Sequence, residues 1–305
     1  MSPFAAHGLC LVLVTADFIA RAIRIQWLTR GVGYRLNFRQ AFAVNAVGDA
    51  ASAVSPLRLA GEPARLGTML RSGVPATAAF VSITYEVLAA WPVILICSGI
   101  LAWRYAPEWW ASVAPEMSRA AKGAWPWVLF VTVLTVGVWV WLRRAAPSVS
   151  HQIRRPLRRM LVHWRRMPWW PLLASTPLSL VNLATRVAIL PVLASTLPHP
   201  PPLGPMLLGS FALLYSQLIL PTPSGVGAVE LGFMGGAAGN MGDDQGRILL
   251  IWRIYTTGIG VVLGLLIGVR IFGWQAIKDL VRPSRSAVPE VVVGLDSKDT
   301  EPGPE

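Results

Sequence analysis

Residues 221–230 read PTPSGVGAVE and interrupt one apolar segment, and residues 55–65 read SPLRLAGEPAR and interrupt another. The first stretch has two prolines, which donate no backbone N–H, and two glycines, which permit a sharp turn, so polar backbone is left unpaired at membrane depth. Such backbone is tolerated only against protein or a water-filled cavity. Broken segments at corresponding places in two halves of a membrane protein are typical of inverted-repeat transporters, whose substrate site lies near the midplane. The paired breaks predict transport rather than catalysis.

The composition indicates an integral membrane protein. Hydrophobic residues make up 54% of the 305 residues, charged residues make up 14%, and the runs 75–101, 124–142 and 248–272 are continuously apolar. These runs suit spanning helices and lack the alternation of a membrane β-barrel. The net charge of +12 lies mostly in loops, as the positive-inside rule requires, so nucleic acid is not an expected partner. Cysteines and histidines are scattered, and neither a metal site nor a cofactor is predicted.

Arginines set the expected topology. The loop 143–166 holds eight arginines and no acid, which predicts a cytoplasmic loop. The basic stretch 21–39 is expected on the same side, so the segment 40–57 must enter and leave by one face. From the basic C-terminal region, residues 206–240 must likewise re-enter from outside, in halves of about 15 residues that are shorter than the roughly 20 needed to cross. The apolar stretch 4–20 precedes its arginines, so we expect a retained helix rather than a cleaved signal peptide.

A weak internal repeat agrees with this count. Arg21 and Arg186 are 165 residues apart, Pro56 and Pro221 share that separation, and Glu62 and Glu230 are 168 apart. The predicted fold is all-α: a polytopic helical membrane protein with two inverted repeats of helix, re-entrant hairpin and helix, joined by a linking helix over 124–142. We expect a transmembrane domain over 1–273 and a disordered cytoplasmic tail over 274–305.

Ionisable residues inside spanning segments are costly and are therefore candidates for function. They are Asp17, Asp49, Glu86, Arg186, Glu230 and Arg253. One interpretation is that Arg186 or Arg253 neutralises Glu230 or Glu86 and holds helices together. Another is direct contact with a ligand. For Glu62 the same choice exists between the first turn of a helix after Gly61 and a role in binding.

The first break also predicts an anion site. Free N–H groups at re-entrant helix ends, together with Arg58 and Arg65, have the geometry to bind a phosphate. The alternative is that both arginines face anionic lipid. In the second break, Glu230 could take a proton, pair with an arginine or meet a cationic head group.

Four motifs over residues 10–273 carry a family resemblance: the basic helix end ARAIRIQWLTRGVGYRLNFRQAF, SPLRLAGEPAR, PTPSGVGAVE and the late IWRIY. With them the chain resembles the flippase-like family that includes the transmembrane part of lysylphosphatidylglycerol synthase. The resemblance implies a multi-pass bacterial inner-membrane protein with a cytoplasmic C-terminus that binds a lipid or lipid-linked head group. The positions that match family motifs are Glu62, Arg65, Gly225, Gly227, Glu230 and Arg253. The chain departs from the family at Tyr85-Glu86-Val87: of the acid–arginine pattern expected there, the acid Glu86 is present, but Val87 follows it.

The hypothesis is a lipid-translocating or lipid-binding protein that works by alternating access, with phosphate near Arg58, Arg65 or Arg253 and Glu230 as a gating or proton-coupling acid. Arg186 completes the candidate binding residues. The ligand is a phospholipid or a polyprenyl-linked lipid. No enzymatic role is expected, because the longest loop carries only basic charge. The open alternatives are a non-catalytic module or scaffold that partners a separate lipid-modifying transferase, and a homo-oligomer.

Overall fold

The computed structural model describes residues 1–55, 58–101, 103–105, 133, 160, 162–165, 167–216, 241 and 244–281. This part of the chain is helical and contains no strand, which confirms the all-α prediction. The main helices are α1 (Pro3–Gly31), α2 (Phe38–Val54), α3 (Gly61–Arg71), α4 (Ala76–Tyr105), α5 (Trp170–Ala194), α6 (Leu203–Ser216), α7 (Gln245–Arg253) and α8 (Ile259–Val281), with a π-helical turn over Ile254–Gly258 between the last two.

Among the described residues, three helices are long and apolar enough to cross a membrane: α4, α5, and the continuous segment Gln245–Gly273 formed by α7, the π turn and most of α8. The first and the last of these match the apolar runs 75–101 and 248–272 in the sequence. Helix α1 has 29 residues, enough to span at 1.5 Å per residue, although it carries buried charges. The linking segment 124–142, most of the arginine-rich loop, and the break at 221–230 lie outside the described residues.

The first break separates α2 from α3. Helix α2 starts with a capping box, in which the Asn37 side chain accepts from the Gln40 N–H at 2.8 Å and the Gln40 side chain accepts from the Asn37 N–H at 2.9 Å. This pair satisfies two backbone donors at the helix start. At the other end the Ser55 hydroxyl accepts from the Ala60 N–H at 3.0 Å, and Arg58 has a positive φ of 59°. The chain therefore turns sharply into α3, where Glu62 lies in the first turn as predicted.

Glycines let two helices approach α2 closely. A Cβ on Gly61 of α3 would overlap the Ser52 hydroxyl, and a Cβ on Gly264 of α8 would overlap the Ala46 carbonyl. Gly260, one turn before Gly264, lies against the Asp49 side chain. Small residues at this spacing bring helix backbones together in membranes. The tight crossing places Asp49 in the interior of the helix bundle.

Helices α1 and α5 run antiparallel along most of their length. The N-terminal amine of Met1 donates to the Ser195 carbonyl at 3.1 Å, Arg24 donates to the Ser179 hydroxyl at 3.0 Å, and Gly31 lies against Pro171. Between these contacts an apolar core joins α1 to α5, α6 and α7.

A proline in α5 is compensated by α6. Pro191 has no N–H to donate to the carbonyl of Val187 one turn earlier, so that acceptor needs another partner at membrane depth. The Ser210 hydroxyl of α6 donates to it at 2.8 Å. The bond fastens α6 to α5.

One pair of helices has the spacing of the predicted internal repeat. Helix α6 begins at Leu203 and α2 at Phe38, a separation of 165 that also relates Asp17 to Asn182. The Arg71 guanidinium at the end of α3 donates to the Ile271 carbonyl of α8 at 3.1 Å. The end of α3 therefore lies beside this part of α8, while the inverted repeat and the cytoplasmic side of both stay predictions.

Candidate functional site

The predicted site residues that the structure describes fall into two groups of charges. Gly225, Gly227 and Glu230 lie outside the described residues. Of the others, Arg58, Arg186 and Arg253 belong to the first group, and Glu62 and Arg65 belong to the second.

The first group, here called the central cluster, is built where α1, α2 and α5 meet. Arg21 contacts two acids, with its Nη2 at 3.0 Å from Asp17 Oδ2 and its Nη1 at 2.7 Å from Asp49 Oδ2. Arg186 of α5 places its Nε 3.3 Å from the same Asp17 oxygen, and the Asn182 amide donates to the other oxygen. One carboxylate thus bridges two arginines that come from different helices.

Two further arginines belong to the central cluster. Arg58, at the turn between α2 and α3, lies within electrostatic range of Arg186, Asp49, Arg21 and Arg253. Arg253 ends α7 immediately before the π turn. Among the described residues, the central cluster therefore has four arginines and two acids, which lie on α1, α2, α5 and α7 and at the turn between α2 and α3.

A narrow cleft opens onto this cluster between α1, α5 and the π turn. Its polar lining consists of Asp17, Arg21, Arg186, Tyr255 and Thr256. It has room for roughly one water molecule, so a head group could enter only after the lining side chains separate. A π turn is a frequent feature of functional sites because its extra residue redirects neighbouring side chains.

The rim of the cleft is closed by an aromatic pair. The His7 Nδ1 of α1 lies 2.9 Å from the Tyr255 hydroxyl, and the two rings stack with centroids 5.9 Å apart. The pair ties the N-terminal part of α1 to the π turn. Tyr255 belongs to the IWRIY motif of the sequence analysis, whereas His7 was not singled out, because a lone histidine gives no signal there.

The second group, here called the hairpin cluster, is centred on Glu86 of α4. Arg24 donates to Glu86 Oε1 at 2.5 Å, and Arg65 donates to its other oxygen. Arg65 also lies 3.2 Å from Glu62, which is 56% exposed. The Glu86 side chain is only 6% exposed, so this acid is held by two guanidinium groups away from lipid and solvent.

The hairpin cluster corrects one interpretation of the sequence. That interpretation pairs Glu86 with Arg186 or Arg253, but the described partners of Glu86 are Arg24 and Arg65. The Arg65 guanidinium, predicted to bind phosphate beside Arg58, donates to Glu86. Its role in phosphate binding stays a prediction.

The basic stretch 21–39 also contains arginines that pair with acids inside the protein. Arg21 and Arg24 were counted as part of a cytoplasmic basic stretch, but both are buried in α1 and paired with acids. The available signal was the spacing of Asp17 and Arg21, which puts an acid and a base on one helix face. Their partners on α2 and α4 could not be read from the sequence. Within the described residues, no group of His, Cys, Asp or Glu comes together as a metal site.

Comparison with known proteins identifies the family. Searches of the curated proteins and of the solved structures gave no match. The family model described as lysylphosphatidylglycerol synthase TM region matches residues 3–264. The match spans every helix from α1 to the beginning of α8, including the elements that build both charge clusters. It confirms the family resemblance, and the chain belongs to the lysylphosphatidylglycerol synthase TM region family.

Proposed function

We propose that this protein binds the phosphate-bearing head group of a lipid at the central cluster and moves it across the membrane by alternating access. The lipid is a phospholipid or a polyprenyl-linked lipid, and the activity is binding and transport rather than catalysis. Membership of a membrane family named for a lipid synthase supports the lipid as the class of ligand. The proposed location is the bacterial inner membrane, with the C-terminus in the cytoplasm.

The observation that carries the proposal is the charge of the central cluster. Within the part of the chain that the structure describes, this cluster holds two acids, Asp17 and Asp49, inside a bundle of apolar helices. Its four arginines are Arg21, Arg58, Arg186 and Arg253. Like charges in a medium of low dielectric repel one another strongly, so an anion between them is stabilising. Guanidinium groups bind phosphate oxygens with two parallel hydrogen bonds, which favours phosphate over a point-like anion.

The shape of the site fits an alternating-access cycle. Helices α1 and α5 run antiparallel, and the cleft beside their crossing is narrow. Transport in inverted-repeat proteins proceeds by movement of one repeat against the other around a fixed site. In this proposal, separation of the π turn from α1 opens the cleft on one side, and movement of the first hairpin opens it on the other. Glu230 is the acid that would gate the site or couple it to protons.

A second candidate is a non-catalytic membrane module that partners a separate lipid-modifying transferase. The description of the family as the TM region of a synthase favours it. This candidate needs a surface for the transferase and a stable bundle, but no ligand in the central cluster. The two candidates therefore differ in whether the arginines of the central cluster bind a lipid phosphate.

The test compares charge-matched variants in lipid binding and in transport. Arg186→Gln/Arg253→Gln removes two charges from the central cluster, and Arg104→Gln/Arg247→Gln removes two from exposed positions. Purified proteins are examined by native mass spectrometry with phosphatidylglycerol and with diacylglycerol, which lacks the phosphate. Movement of a fluorescent phospholipid is followed in proteoliposomes by quenching from outside.

We expect the wild type and the exposed-site control to retain phosphatidylglycerol selectively and to move the fluorescent lipid. The central-cluster variant should lose both. Equal, non-selective retention of the two lipids by all three proteins, with no movement, would rule out the proposal and favour the membrane module. Selective retention without movement would keep the binding function and exclude translocation.

A further inference from the structure

The crossing of α1 and α5 brings equivalent residues of the two halves into direct contact. Asp17 and Asn182 are 165 residues apart and are hydrogen bonded to each other. Arg21 and Arg186, which follow them by four residues, have the same separation. When helices related by a two-fold axis cross, equivalent residues meet only at the axis. These contacts therefore put Asp17 and Asn182 at the axis of an inverted repeat.

The two equivalent arginines share one oxygen atom. Asp17 Oδ2 lies 3.0 Å from Arg21 Nη2 and 3.3 Å from Arg186 Nε. A carboxylate held between two guanidinium groups has the charge and the acceptor geometry of one edge of a phosphate. Asp17 thus occupies the position that an anionic head group would need in order to contact both arginines.

The two arginines are not held equally. Arg21 contacts Asp17 and Asp49, and its side chain is 9% exposed. Arg186 contacts Asp17 through Nε, one of the five N–H donors of a guanidinium, and its side chain is 22% exposed at the cleft. An incoming anion therefore reaches Arg186 first, while the contacts of Arg21 with α2 keep it in place.

We infer that Arg21 and Arg186 form a symmetric phosphate clamp and that Asp17 is a built-in competitor, which closes the clamp and is displaced when a lipid phosphate binds. Asn182, which holds the second oxygen of Asp17, is the position from which an equivalent carboxylate would compete. This inference rests on the proposed function, because it assigns the clamp to the same phosphate-bearing ligand. Arg21 and Asp17 were not among the binding residues expected from the sequence.

The test uses substitutions with opposite expected effects. The ligand is dioctanoyl phosphatidylglycerol, titrated into the full-length protein in detergent, with inorganic phosphate in a parallel arm. Asp17→Asn keeps the size of the side chain and the acceptor for Asn182 but removes the competing charge, so it should tighten binding about fivefold or more. Arg186→Gln should weaken binding, and Asn182→Asp, which adds a competitor, should weaken it as well.

A charge swap provides the control for folding and for symmetry. Asp17→Asn/Asn182→Asp returns one carboxylate to the axis from the other repeat, and its affinity should lie within about twofold of the wild type. If the variants rank in the same order of affinity for inorganic phosphate as for the lipid, the clamp recognises phosphate itself. If they rank in that order for the lipid alone, the clamp recognises the lipid head group.

The outcomes separate the inference from the proposed function. Wild-type protein that binds neither ligand overturns both. Wild-type binding that Asp17→Asn leaves unchanged or weakens overturns the clamp alone and makes Asp17 a structural partner. Where Asp17→Asn does not fold, wild-type affinity in Asn182→Asp overturns the inference just as clearly, because an added carboxylate at the axis would then not compete.

Discussion

Neutralising Glu86 should destabilise this protein more than any change at a surface ion pair. Its side chain is 6% exposed and receives a hydrogen bond of 2.5 Å from Arg24 and another from Arg65. Glu86→Gln leaves both guanidinium groups buried without the charge that they share. Removing one partner of a buried ion pair costs about 3–5 kcal/mol. Since Arg65 keeps a contact with the exposed Glu62, we expect about 3 kcal/mol, which is more than a hundredfold in the unfolding equilibrium at about 1.4 kcal/mol per factor of ten.

The assay is unfolding by denaturant in mixed micelles, followed by the fluorescence of the 14 tryptophans. The matched control is Asp244→Asn, which breaks the exposed Asp244–Arg247 pair at 3.8 Å and should cost less than about 1 kcal/mol. Adding Arg65→Gln to Glu86→Gln removes one of the stranded charges, so the double variant should lose less stability than the two single changes together. Equal midpoints for Glu86→Gln and Asp244→Asn would refute the buried pairing.

Two further predictions concern packing and topology. Gly264→Leu would overlap the Ala46 carbonyl and should lower the free energy of unfolding by about 1–3 kcal/mol. Gly99→Leu, whose added Cβ meets none of the other described elements within 4 Å, should change it by less than about 0.5 kcal/mol. The same micelle titration measures both, and equal losses would contradict the close α2–α8 crossing. In a cysteine-free background, a single cysteine at position 195 should react with an impermeant maleimide added outside intact cells. A single cysteine at position 72 should react only after the cells are opened. Labelling of both from one side would contradict the inverted topology.

Elements that depend on local pattern could be predicted from the sequence. The apolar runs 75–101 and 248–272 became α4 and the segment Gln245–Gly273. The two prolines and the glycine of residues 55–65 marked a real break between α2 and α3. The helix start at Gly61 and Glu62 followed from capping preferences alone. In each case the physical cause lies within a few residues of the feature.

Charge pairs could not be predicted in the same way, because their partners are far apart in sequence. Arg24 meets Glu86 across 62 residues, and Arg21 meets Asp49 across 28. The positive-inside rule counts an arginine by its place in the chain and does not distinguish one that faces lipid head groups from one that turns into the bundle. The same is true of Ser210, whose role depends on the carbonyl that Pro191 frees in a neighbouring helix.

The differences between the two repeats are as informative as their likeness. With an aspartate on both sides of the axis, two carboxylates would meet in a medium of low dielectric, whereas Asn182 supplies Asp17 with a donor instead of a like charge. The position equivalent to Asp49 is Leu214, at the separation of 165 that relates Asp17 to Asn182, so Arg186 has no counterpart of the second acid that holds Arg21. One arginine of the clamp is thereby fixed and the other can move. A site at the proposed two-fold axis would otherwise open equally to both sides, and in the proposed transport cycle this asymmetry would give the two openings different energies.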